Sequence, residues 1–124
     1  MAEYKMGNSG KGYEALKILC NDFNEGALGC IGETWNPETD KPTGCLNQLW
    51  GSAMPIRIID EFVLGIKADA ENKTIYFSPQ FPENTARIAR HIRLGMETAW
   101  ITVEKKGNNY SVSSSNRHLK TKII

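Results

Sequence analysis

Leu46-Asn47-Gln48-Leu49-Trp50-Gly51-Ser52-Ala53-Met54-Pro55-Ile56-Arg57-Ile58-Ile59-Asp60-Glu61-Phe62-Val63-Leu64-Gly65-Ile66 is the stretch on which the fold turns. Leu46, Leu49, Trp50, Ala53, Ile56, Ile59, Val63 and Ile66 recur at three- and four-residue spacing and predict the apolar face of a helix over 46–66. Met54, Ile58 and Phe62 carry apolar surface further around it, so this helix is expected to pack on more than one side. Pro55 has no backbone N–H, and its ring crowds the preceding turn. A kink, or a split into two helices, is expected there.

Upstream, Tyr13, Leu16, Leu19, Cys20 and Phe23 share one face of a helix expected over 11–23, with Ser9 as a candidate N-cap. The connection from Asn24 to Gly44 holds Gly26, Gly29, Gly32, Gly44, Pro37 and Pro42, which exclude a regular helix. About twenty residues is far more than two antiparallel helices need, and such loops are functional or disordered. Leu28, Cys30, Ile31 and Trp35 are too apolar for a solvated tether, so the loop is expected to be ordered and functional.

Past Lys67 the pattern changes to that of strands. Asp69 to Lys73 reads as a polar turn and Thr74 to Ser78 as a short strand, ended by Pro79 and Pro82. Residues 86–94 are ambiguous: Ile88, Ile92 and Leu94 alternate like a strand, while Pro82-Glu83-Asn84-Thr85 also reads as a helix start, and a strand is expected. Ala99, Ile101 and Val103 alternate against Trp100, Thr102 and Glu104, and the Gly107-Asn108-Asn109 turn then returns the chain through Tyr110 and Val112. A last strand is expected over 119–124. The fold class is therefore α+β: a helix-loop-helix over 1–67, then an antiparallel β-rich tail over 68–124.

A formal net charge of +1 leaves no basic excess for a nucleic-acid or membrane partner. Arg87, Arg90, Arg93 and Lys105 are interleaved with Glu83, Glu97 and Glu104, so they are expected to form a mixed-charge solvated face. No apolar run approaches the roughly 18 residues of a membrane span, and 1–10 lacks the apolar core of a signal peptide. A cytoplasmic location is expected. Cys20, Cys30 and Cys45 fit reduced thiols better than a Cys30–Cys45 bridge, and His91 and His118 stand at no zinc-ligand spacing. Neither a metal nor an organic cofactor is implied.

Among chemistry-bearing residues, Glu33 stands out: a carboxylate in a glycine-rich loop beside the indole of Trp35. Sugars offer apolar CH faces to an aromatic ring and hydroxyls to a carboxylate. A turn-capping glutamate would have the same local sequence. Glu38 and Asp40 read as a solvated rim, and Glu25 as part of a polar turn. Gln48 suits either sugar hydroxyls or the cap of the second helix. Trp50 could line a sugar site, but on the apolar face of the helix it is expected to pack in the core, and Trp100 is expected to pack in the β region.

Gly29-Cys30-Ile31-Gly32-Glu33-Thr34-Trp35, followed by Gly44-Cys45-Leu46-Asn47-Gln48-Leu49-Trp50, resembles the paired signature near the end of glycogen debranching enzymes of the amylo-α-1,6-glucosidase type. The resemblance covers roughly residues 10 to 66. It implies that the two helices are the last hairpin of an (α/α)6 toroid. It also implies that Glu33 is the general base of an inverting α-glucan hydrolase, with Gln48 and Trp50 opening the next helix near the active-site end; Trp35, beside Glu33, is a further substrate-binding candidate from its own chemistry. Thr34-Trp35-Asn36-Pro37 stands where the family carries an aromatic-aspartate-glycine run. The family's general acid lies upstream, on a part of the barrel outside this chain. The expectation is thus an enzyme part with the base and not the acid, whose partner is the remainder of the barrel. A non-catalytic carbohydrate-binding or structural module, or a truncated reading frame, is the alternative.

Overall fold

The computed structural model describes residues 1–25, 30–39 and 41–124 as a mixed α+β chain that divides into two units, Met1–Ile59 and Asp60–Ile124. The first holds helices α1 (Ala2–Lys5), α2 (Ser9–Asn21) and α3 (Leu49–Ile58) and a hairpin of β1 (Thr34–Asn36) with β2 (Lys41–Thr43). Helix α2 starts at Ser9, so Asn8, not Ser9, occupies the N-cap position. The Asn8 carbonyl accepts the Gly12 amide at 3.0 Å, while its side chain is engaged with Glu3 at 2.9 Å. A 3₁₀ turn, Asp22–Asn24, closes the helix.

Helix α3 is shorter than the periodicity suggested. It starts at Leu49, runs through Pro55 and gives way at Ile59–Val63 to a π turn. The break expected at Pro55 therefore comes one turn later. The face that is buried also differs from the expected one. Pro55 and Ile58 are buried, whereas Leu49 is 83% and Trp50 70% exposed, with Leu46 and Ile56 also outward. The helix is apolar around most of its circumference, and α2 packs against one side of it.

The second unit holds β3 (Lys67–Asp69), β4 (Thr74–Phe77), β5 (Arg87–Leu94), β6 (Glu97–Lys106), β7 (Asn109–Ser114) and β8 (Lys120–Ile123). Strands β5, β6 and β7 form an antiparallel meander whose second turn is the expected one, while β4 sits between β3 and β8. The tail is not wholly antiparallel, because β8 pairs with β4 in parallel. Ile75 and Phe77 of β4 are buried with Ala99, Ile101 and Val103 of β6, as their alternation required. Trp100 falls on the opposite face of β6. It is exposed rather than packed in the core, with its ring 5.2 Å from that of His91 across the strand pair.

The same alternation divides the basic set between two faces of β5. Arg87 and Arg93 are exposed. Arg90, on the other side, grips Asp60 with two hydrogen bonds of 2.8 and 2.9 Å. That pair helps explain why the boundary lies at Ile59/Asp60 rather than near Lys67. The Asp60 carbonyl also accepts the Ile66 amide, the Val63 carbonyl accepts the Gln80 amide, and the Gly65 carbonyl accepts the Ser78 amide. Residues 60–66 are thereby tied to the sheet unit. Gly65 makes this closure possible: its φ is +61°, and a Cβ there would lie 2.3 Å from the Ser78 carbonyl oxygen.

Among the described residues, no helix is long and apolar enough to cross a membrane.

Two outcomes are expected. Gly65→Ala should lower stability by at least about 1–3 kcal/mol, because it combines a left-handed backbone with a backbone clash. Urea unfolding followed by far-UV circular dichroism measures this, and a change under about 0.5 kcal/mol would count against the closure described. The outward side of α3 should bind a hydrophobic dye and promote association, and Leu49→Ser with Trp50→Ser should reduce both in fluorescence and light scattering.

Candidate functional site

The loop segment Ile31-Gly32-Glu33 is held between the end of α2 and the start of α3. Ile31 is 3% exposed, and both of its backbone polar groups are paired: its amide donates to Ser52 Oγ at 3.2 Å, and its carbonyl accepts the Gln48 amide at 3.3 Å. Ser52 in turn donates through Oγ to the Gln48 carbonyl at 3.1 Å. The Gly32 amide donates to Asp22 Oδ2 at 3.1 Å. Irregular backbone can be buried only when its polar groups find such partners.

Glu33 follows and is exposed. Its amide donates to the Cys45 carbonyl at 2.9 Å, and its Oε2 accepts the Cys45 amide at 3.2 Å. One carboxylate oxygen thus serves as a turn cap, as a structural glutamate would. Oε1 has no partner among the described residues. Gly44 makes this turn with φ +72°, and a Cβ on it would press on Thr34 Oγ1 and Glu33 Oε2 at 3.0 and 3.1 Å. The Thr34 and Thr43 hydroxyls share a 2.8 Å hydrogen bond across the hairpin, whose tip is an Asn36 turn accepting the Glu38 and Thr39 amides. This hairpin occupies what the sequence presented as loop. Its β-prone Thr34-Trp35 and the turn-forming Asn36-Pro37 were the available signal.

Two clefts of the first unit meet at Glu33. One, of about 320 Å³, is lined by Glu33, Gln48 and Trp50, with Leu19, Ile31, Met54 and others. The other, of about 210 Å³, is lined by Glu33, Trp35, Thr34, Asp22, Ile18 and Leu19, with Ile31 and Gly32. Trp35, Gln48 and Trp50, the other three residues singled out from sequence, therefore line clefts that Glu33 also lines. Gln48 occupies the N-cap position of α3 without a side-chain cap bond. Trp50 is exposed at the cleft rather than packed in the core, and Trp35 is half-buried on β1.

No protein-family model, curated protein or solved structure matches the chain.

Asp22 escaped the sequence reading. It is 3% exposed, and its Oδ1 is buried without a hydrogen-bond partner among the described residues. Its one signal was spacing: it follows Leu19 on the same helical face, so it stands among apolar residues rather than opposite them. Glu38 is exposed at the hairpin, while Asp40, Gly26, Leu28 and Gly29 lie outside the described residues. The three cysteines are free. Cys30 donates through Sγ to Asn47 Oδ1 at 3.1 Å, and burial pushes the Cys20 thiol pKa up. Among the described residues no group of three or more His, Cys, Asp or Glu comes together to hold a metal ion.

The Glu33 cap can be measured separately from any chemistry. Glu33→Gln retains an oxygen for the Cys45 amide and should keep the wild-type melting temperature. Glu33→Ala should lose about 0.5–1.5 kcal/mol. Equal melting curves for all three proteins would show that the cap carries no stability.

Proposed function

We propose that the chain is the C-terminal part of an inverting α-glucan hydrolase of the amylo-α-1,6-glucosidase type, supplying the general base and not the general acid. In this reading α2 and α3 are the last hairpin of an (α/α)6 toroid. The supporting observation is the convergence of Glu33, Gln48 and Trp50 on one cleft, with Trp35 on the adjoining one. Glu33 Oε1 is the oxygen left to activate water, since Oε2 is occupied by the Cys45 amide. Gln48 offers donors and an acceptor to sugar hydroxyls, and the two indoles offer flat apolar faces. Inversion needs a protonated partner about 6.5–9.5 Å from the base. That partner is assigned to a cytoplasmic chain or segment carrying the remaining helices, which would also cover the outward Leu49 and Ile56.

A second reading is favoured by the Cys45–Glu33 bond: a non-catalytic saccharide-binding module in which Glu33 is structural. The two separate on a substrate whose leaving group needs no proton. Maltooligosaccharides and branched glucan should not be hydrolysed by the chain alone, because acid assistance is worth roughly 10²–10⁴-fold. α-Glucosyl fluoride should be hydrolysed slowly, with inversion, and Glu33→Gln should abolish this. Turnover of ordinary glucans at enzyme rates would overturn the incomplete-site reading. Saccharide binding with no action on the fluoride would favour the module.

A further inference from the structure

The two oxygens of Asp22 have different surroundings. Oδ2 accepts the Gly32 amide at 3.1 Å, while Oδ1 is shielded from solvent and has no hydrogen-bond partner among the described residues. Asp22 lines the smaller cleft together with Glu33 and Trp35. A carboxylate oxygen buried without a donor is unfavourable, and such groups persist where a function or a ligand compensates. The aliphatic walls of that cleft, Ile18, Leu19 and Ile31, have no side-chain donor to offer.

We propose that Asp22 is a ligand-binding carboxylate of this cleft: Oδ1 accepts a hydroxyl of a bound saccharide while Oδ2 holds the Gly32–Glu33 peptide in place. The inference rests on the saccharide reading of the site. The Thr34 hydroxyl in this cleft is engaged with Thr43, and a sugar ring supplies further hydroxyl donors for a carboxylate and CH groups for the aliphatic and indole walls. At about 210 Å³ the cleft is smaller than the roughly 300 Å³ at which sites for drug-sized molecules begin, so it suits a single ring rather than a chain. The side-chain torsion of an aspartate carboxylate is soft. A turn about Cβ–Cγ moves both oxygens together, so Oδ1 can shift toward the cleft only as far as the Oδ2–Gly32 bond stretches. A cation is the competing partner for a bare carboxylate. Calcium takes about 6–8 oxygen ligands, and no cluster of three or more acidic, histidine or cysteine residues forms among the described residues.

Asp22→Asn separates the two duties of this side chain. Its carbonyl oxygen can still accept the Gly32 amide, and its NH₂ group replaces the unpartnered oxygen. The 124-residue chain and the variant are titrated with glucose, maltose and, separately, calcium. Tryptophan fluorescence reports binding and thermal unfolding reports the fold. The expected result is a variant that melts at or above the wild-type temperature and binds saccharide at least about tenfold more weakly, the size expected for loss of a hydrogen bond to a charged group. Equal saccharide affinity in the two proteins overturns the Asp22 assignment and leaves the saccharide reading intact. Should the variant fail to fold, the carboxyl ¹³C resonance of Asp22 in the wild-type chain decides: a shift on saturation with maltose supports the assignment, and an unchanged resonance overturns it. Absence of saccharide binding by the wild-type chain overturns the reading of the cleft and the Asp22 assignment together. Calcium stabilisation that is lost in Asp22→Asn assigns the oxygen to a cation and overturns the saccharide proposal.

Discussion

The Gly32 amide, held by Asp22 Oδ2, is the constraint on which the geometry of the first unit depends. It ties the end of α2 to the loop one residue before Glu33. On the other side, Ile31 is tied to α3 through Ser52 Oγ and the Gln48 amide. Irregular backbone at this depth would otherwise leave several polar groups unpaired, each costing about 1–3 kcal/mol. With those groups paired, Ile31 can be buried and Glu33 emerges at the junction of two clefts. The carboxylate is positioned by its backbone first and by its own side chain second.

The geometry of Glu33 is compatible with two readings that sequence reasoning treats as exclusive. A capping glutamate spends its oxygens on amides, and a general base keeps one for water. Here Oε2 caps the Cys45 amide and Oε1 has no partner among the described residues. The cap also has a positioning consequence, because a carboxylate held at one oxygen cannot swing freely at the other. Rigid placement is what a base needs, since acid–base efficiency depends on hydrogen-bond reach to the reacting group. The same bond therefore supports either reading of the residue, and only chemistry at Oε1 separates them.

The second unit depends on a different closure. Asp60 is gripped by Arg90 of β5, and the backbone of 63–65 is paired with 78–80. The chain leaves α3 through a π turn and enters the sheet unit at once, so the helical periodicity overruns the true boundary. Gly65, in a left-handed conformation against the Ser78 carbonyl, is the point at which that backbone must lack a side chain.

Local periodicity was enough for the features that depend on neighbours in sequence. The alternation of Ala99, Ile101 and Val103 against Trp100 placed β6, and the Gly107 turn placed the return strand, because a strand with one buried face has a strict period of two. The helix at α2 was legible for the same reason, through its three- and four-residue spacing, whereas Glu33, Trp35, Gln48 and Trp50 were singled out by a paired motif and a glycine-rich loop rather than by periodicity. Which side of α3 is covered was not legible, since a helix apolar all round gives no preferred face until a neighbour chooses one. The parallel pairing of β4 with β8, the β1–β2 hairpin, the transfer of 60–66 to the sheet unit and the burial of Asp22 came only with the tertiary structure. Each depends on a partner distant in sequence or on a pairing that short, weakly patterned strands do not announce, and hydrogen-bond satisfaction in three dimensions has no periodicity along the chain.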